Sequence, residues 1–117
     1  MYASESISLA MLELLVQVNK RTRLKNHVCT SASFNESVVE MLEIADLPSG
    51  WDARPYTSVS QDVGDRWLDE ERSLILRVPT VVNPHEYSLL INPLHPKFDE
   101  IDIGEPFAAP FDRRLVE

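Results

Sequence analysis

From Ile7 to Val18 the chain is apolar except at Ser8, Glu13 and Gln17. Wound at 3.6 residues per turn over Glu5 to Asn19, Ile7, Ala10, Met11, Leu14 and Val18 make one face, while Leu9, Leu12, Leu15 and Val16 fill most of the rest. That pattern predicts a core helix, with Ser4 as its N-cap and Glu5 as a favourable charge at its start. The polar exceptions Ser6, Glu13 and Gln17 fall on one narrow stripe. A carboxylate in such a setting is costly to bury unless it is hydrogen-bonded or faces a cleft. The pattern leaves two readings of Glu13 open: a group held in a site, and an edge glutamate or cap partner.

The basic run Lys20 to Lys25 reads as a solvated helix end and turn, with a phosphate patch as the sharper alternative. Val28, Thr30, Ala32 and Phe34 alternate with more polar neighbours and predict a strand, turned at Asn35. Val38 to Leu42 is apolar apart from Glu40 and too short to separate strand from helix. Asp46 to Asp52 is loop, with Trp51 expected to anchor it in the core. Ser58 and Gln61 have capping-box spacing, and Val59, Val63 and Trp67 fall on one face, so a second helix is predicted to end near Asp69 to Glu71. Ser73 to Pro79 and Tyr87 to Pro93 read as central aliphatic strands. Ile101 and Ile103 suggest a last short strand before Phe107 and Phe111 dock the tail. The expected fold is α+β: one domain over residues 1–117, with a small mixed, mainly antiparallel sheet and two or three helices.

Composition narrows the function. Nineteen acidic against eleven basic residues give a net charge of -8, which argues against direct nucleic-acid binding or an anionic membrane as the main partner. The single cysteine, Cys29, has no internal partner, and no spacing suggests a metal site, so a cytoplasmic location is expected. No apolar run is long enough for a membrane span. The common nucleotide-binding and hydrolase signatures are missing. His27, His85 and His95 show no ligand spacing; His95 sits in the proline-fixed segment Asn92 to Pro96, where loop hydrogen bonding is the leading reading.

Six segments in order carry a resemblance: Tyr2 to Ser6 leading into Leu9 to Glu13, then Leu47 to Trp51, Gly64 to Leu68, Leu76 to Val82, Asn92 to Pro96, and Phe111 to Leu115. Together they resemble the RES domain, the toxin of a bacterial toxin–antitoxin pair. The resemblance implies NAD+ as substrate, with no metal, and cleavage of its bond to nicotinamide by hydrolysis or phosphorolysis; some members ADP-ribosylate a protein. It implies a DNA-binding antitoxin as partner.

Carried over by position, the resemblance makes Tyr2 the family's tyrosine, on the nicotinamide half of the substrate, and Glu13 its catalytic glutamate. The family's serine aligns with Thr80, which keeps a hydroxyl, and Ser73 at the start of the same strand is the other candidate. A carboxylate suits this chemistry because breaking the nicotinamide bond develops positive, oxocarbenium character on the ribose.

The family arginine, a natural clamp for a pyrophosphate, lies in the family in a Gly-Gly-Arg-Trp-Asn segment upstream of the tyrosine, and residues 1–117 do not contain it. The resemblance therefore implies a missing N-terminal segment, through a late start codon or a broken gene. On that expectation the chain exposes apolar surface around Leu9, Leu12 and Val16, aggregates or forms a homodimer, and consumes no appreciable NAD+. The alternative function is an inactive remnant that serves as an antitoxin-binding or dimerisation domain.

Overall fold

A computed structural model describes residues 1–18, 20–53 and 58–116, apart from the side chains of Arg21, Ser58 and Ser60. Four strands form the main sheet. They are β1 (Tyr2–Ser4), β4 (Val39–Met41), β5 (Ile75–Pro79) and β6 (Tyr87–Ile91), in the order β1-β6-β5-β4. Two outlying ribbons complete the strands: β2 (Val28–Cys29) with β8 (Phe107–Ala108), and β3 (Ala32–Ser33) with β7 (Asp102–Ile103). The helices are α1 (Ile7–Gln17), α2 (Ser58–Asp69) and the short α3 (Arg113–Val116). The fold is α+β with a mixed, mainly antiparallel sheet.

The aliphatic runs become the two central strands because they can be buried on both faces. Pairing of Ile75 with Ile91 and Arg77 with Leu89 puts one set of side chains on the first face of the sheet. There Ile75, Leu89 and Ile91 join Val38, Leu74 and Ile101 in the main core, with Ala3, Phe34, Val39 and Phe98 packed against it. The alternate residues Leu76, Val78, Ser88 and Leu90 occupy the opposite face, where Tyr2 and Ser4 of β1 pair with Leu90 and Ser88. Helix α2 approaches that second face closely: a Cβ on Gly64 would stand 3.5 Å from Leu90 Cδ1.

Several expectations are corrected. Ser6, not Ser4, caps α1: its extended backbone leaves the side chain to accept the Leu9 N–H at 3.1 Å. Ser4 belongs to β1, an edge strand anchored by reciprocal backbone bonds between Met1 and Ile91. The helix is shorter than its apolar pattern because Val18 turns extended; Asn19 lies outside the described residues, as does the side chain of Ser58 on which the capping box depends. Leu9 is buried rather than exposed, whereas Leu12 and Val16 are exposed as expected.

The alternating stretch from Val28 to Phe34 does not make one strand. It breaks at Thr30 and Ser31 so that its halves pair with β8 and β7. The β4–β5 pair is parallel, which a connection carrying α2 permits. The basic run is not merely solvated: Arg21–Leu24 forms a 3-10 turn that contacts α1 and α3 and buries Leu24. Phe107 does not dock the tail but pairs in β8 and stays exposed. Among the described residues no helix is long and apolar enough to cross a membrane.

Candidate functional site

Helix α1 lies beside β1 and turns Ala10, Glu13, Leu14 and Gln17, a set at helical spacing, toward a cleft of about 590 Å3. The opposite walls come from the second face of the sheet, with Val78, Ser88 and Leu90, and from α2, with Gln61, Val63 and Gly64. Such a volume is ordinary for a small-molecule site, roughly 300–1,000 Å3. Thus the stripe that interrupts the apolar helix is its cleft face, and the half-buried Glu13 sits there rather than in a sealed core.

Thr80 arrives from the sheet. Pro79 ends β5 and has no N–H to give, so the ladder is continued by Thr80, whose N–H donates to the Glu86 carbonyl at 3.0 Å. The segment between is a turn built on Asn83, which accepts from the His85 N–H at 3.2 Å and donates to the Glu86 carboxylate at 3.2 Å. This fixes Thr80 at 4% exposure. Its Oγ1 accepts the Val82 N–H at 3.3 Å and donates to Glu13 Oε1 in a short hydrogen bond. With the Val82 N–H on the oxygen, the hydroxyl proton is free to point at the carboxylate. Among the described residues Thr80 is the hydrogen-bond partner of Glu13, through Oε1.

The other candidate hydroxyl is elsewhere. Ser73 precedes β5, at the end of the strand opposite Thr80, where it accepts from the Trp67 indole at 2.8 Å and donates to the Ile75 carbonyl at 3.0 Å. Both polar capacities are used in holding α2 against the sheet, and Ser73 does not line the cleft. Tyr2 does line it, from the edge strand, and is 83% exposed at the mouth.

Trp51, expected in the core, is a half-buried wall of the cleft instead. The buried indole is that of Trp67. Gly50, with φ +91°, turns the chain into Trp51, a backbone that a side chain would strain. Sequence reasoning also missed Gln61 and Ser88, polar groups on the wall whose only signal is their position on α2 and β6. The histidines stand apart: His27 Nδ1 meets the Leu24 carbonyl at 3.1 Å, and His95 Nδ1 accepts the Lys97 N–H at 3.1 Å, the loop bonding expected of it.

A second polar cluster lies on the core face, at the Thr80 end of β5. The Arg77 guanidinium pairs with Glu5 and stacks over the Tyr87 ring, 4.2 Å from its centre. The Tyr87 hydroxyl donates to Glu43 at 3.3 Å. Partial desolvation first, then the charge and hydrogen bond of Glu43, hold the Tyr87 phenol above its usual range, with Arg77 opposing.

Comparison with known proteins places these features. The chain is 35% identical over 115 residues to "Toxin Res" of Yersinia enterocolitica, covering 97% of this chain and 76% of that protein. It is 38% identical over 118 residues to the "Prs ADP-ribosylating toxin" of a Sphingobium species, covering 98% and 73% respectively. "Toxin Res" of Photorhabdus laumondii is 31% identical over 117 residues, covering 99% and 75%. A sequence model of the RES domain matches residues 1–112, and on this match the chain belongs to the RES domain family.

Proposed function

We propose that the chain is a toxin whose cleft binds NAD+ and breaks the bond between nicotinamide and ribose. The observation that carries the reading is the Glu13–Thr80 pair: a carboxylate held through Oε1 by a buried hydroxyl, in a cleft of ligand size. The names of the relatives, two of them "Toxin Res" and one an ADP-ribosylating toxin, support the toxin role. ADP-ribose transfer from NAD+ requires this same bond to break.

In the proposed reaction the bond from the ribose C1′ to the nicotinamide nitrogen breaks, and its electron pair leaves with a now neutral nicotinamide. Positive charge develops on the ribose. The Glu13 carboxylate accepts hydrogen bonds from the ribose hydroxyls and stabilises that charge electrostatically. Thr80 acts as a positioning residue, since it orients the carboxylate and touches no reacting atom. Tyr2 and Trp51 offer aromatic surface to the nicotinamide ring. A nucleophile then attacks C1′, and water, phosphate or a protein side chain would give hydrolysis, phosphorolysis or ADP-ribosylation. The same reading gives the toxin a DNA-binding antitoxin as partner and the cytoplasm as its place of action.

The test is incubation of the purified chain with NAD+ and chromatography of the products. Nicotinamide release that disappears in Glu13→Gln supports the proposal over the inactive remnant; NAD+ that stays intact with the folded parent chain contradicts it and favours the remnant.

A further inference from the structure

A second cleft, of about 520 Å3, adjoins the first, with Leu47 and Val63 lining both. Two guanidinium groups, Arg66 and Arg72, and two carboxylates, Asp46 and Asp62, give it its charge. Two of these four groups, Asp46 and Arg72, have partners of their own. Asp46 Oδ2 accepts the Glu43 N–H at 3.0 Å as part of a local capping box. Arg72 lies 3.5 Å from Glu40 and 3.3 Å from Glu70. Asp62 stands one turn before Arg66 on α2, yet the two form no ion pair. Arg66 therefore meets no carboxylate in an ion pair among the described residues, although it belongs to a chain with a net charge of -8.

We infer that the second cleft takes the phosphorylated adenosine half of the dinucleotide, with Arg66 contacting its phosphates. The inference rests on the NAD+ reading of the first cleft. With the nicotinamide riboside half against Glu13, the other half of the dinucleotide has a path into the second cleft across Leu47 and Val63, an apolar sill between the two volumes. A guanidinium suits the diphosphate because its planar fork of donors matches phosphate oxygens. The neighbouring Asp62 acts against an anion by its charge and sets the affinity of the subsite.

Titrations of the full chain with NAD+, AMP and nicotinamide riboside, followed by NMR chemical shifts, separate the two clefts. Arg66→Ala is expected to weaken NAD+ and AMP about tenfold, the weight of one charge-assisted hydrogen bond, and to leave nicotinamide riboside unchanged. Arg66→Lys should recover part of the loss, and Asp62→Asn should tighten AMP severalfold. The same spectra report whether each variant is folded. If Arg66→Ala binds NAD+ and AMP as the parent does and only its stability changes, Arg66 merely complements the end of α2, and the inference falls while the cleavage reading stands. If the parent binds no NAD+, the cleavage reading fails and takes this inference with it.

Discussion

The Thr80 hydroxyl donates to the Glu13 carboxylate across 67 residues of sequence and ties the middle of α1 to the end of β5. This bond turns an isolated carboxylate on an apolar helix into a fixed feature of a cleft. It also separates two hydroxyls that flank the same strand.

That separation is measurable. Thr80→Val keeps the shape but leaves the Glu13 oxygen and the Val82 N–H without their partner, and is expected to cost about 1–2 kcal/mol of stability and to lower NAD+ turnover. Thr80→Ser should keep most of the turnover. Ser73→Ala removes the acceptor of the Trp67 indole, costs about 1 kcal/mol and should leave turnover unchanged. Denaturant unfolding and NAD+ assays on the three variants decide it, and a larger turnover loss in Ser73→Ala than in Thr80→Val would reverse the assignment.

How far this was legible in the sequence depends on the range of the interactions. The central strands β5 and β6 and helix α2 are written in local periodicity, and they form close to where it puts them. Strand β1 is three residues long and exists because β6 offers it an edge, so nothing in Tyr-Ala-Ser announces it. The break of the 28–34 stretch is likewise imposed by its partners β7 and β8. In the site, the interrupted apolar helix marked Glu13, and the family resemblance marked Tyr2 and Thr80. The choice between Thr80 and Ser73 depends on which end of β5 meets α1, a tertiary fact. Trp51 was misplaced because a large aromatic beside Gly50 reads the same whether it fills a core or walls a cleft.

Gly50 should be sensitive for backbone reasons alone. At φ +91° an added Cβ is strained even though it would meet nothing closer than Val59 at 3.8 Å. Gly50→Ala is expected to destabilise the chain by about 1 kcal/mol and to shift Trp51 in the cleft, seen as a melting-temperature loss with a changed tryptophan emission. An unchanged melting temperature would count against the left-handed turn.

Tyr87 gives a pH signature. Its phenol is held above the usual range, so its contribution to stability is present below the ordinary tyrosine value and is lost as pH rises through the folded value. Ultraviolet titration should show Glu43→Gln bringing the Tyr87 ionisation down, by removing a nearby negative charge. Arg77→Met should push it further up. Shifts of the opposite sign would show that the Glu43–Tyr87–Arg77 arrangement is misread.

The central claim is that Glu13 in this cleft drives cleavage of NAD+, and the most direct measurement compares nicotinamide release from NAD+ by the parent chain and by Glu13→Gln. The substitution keeps size and a hydrogen-bonding oxygen for Thr80 but removes the negative charge. Circular dichroism and melting should match the parent closely. The account predicts that nicotinamide release falls by roughly 100-fold or more, the scale of losing a group that stabilises transition-state charge. A folded Glu13→Gln chain that releases nicotinamide at the parent rate would contradict it.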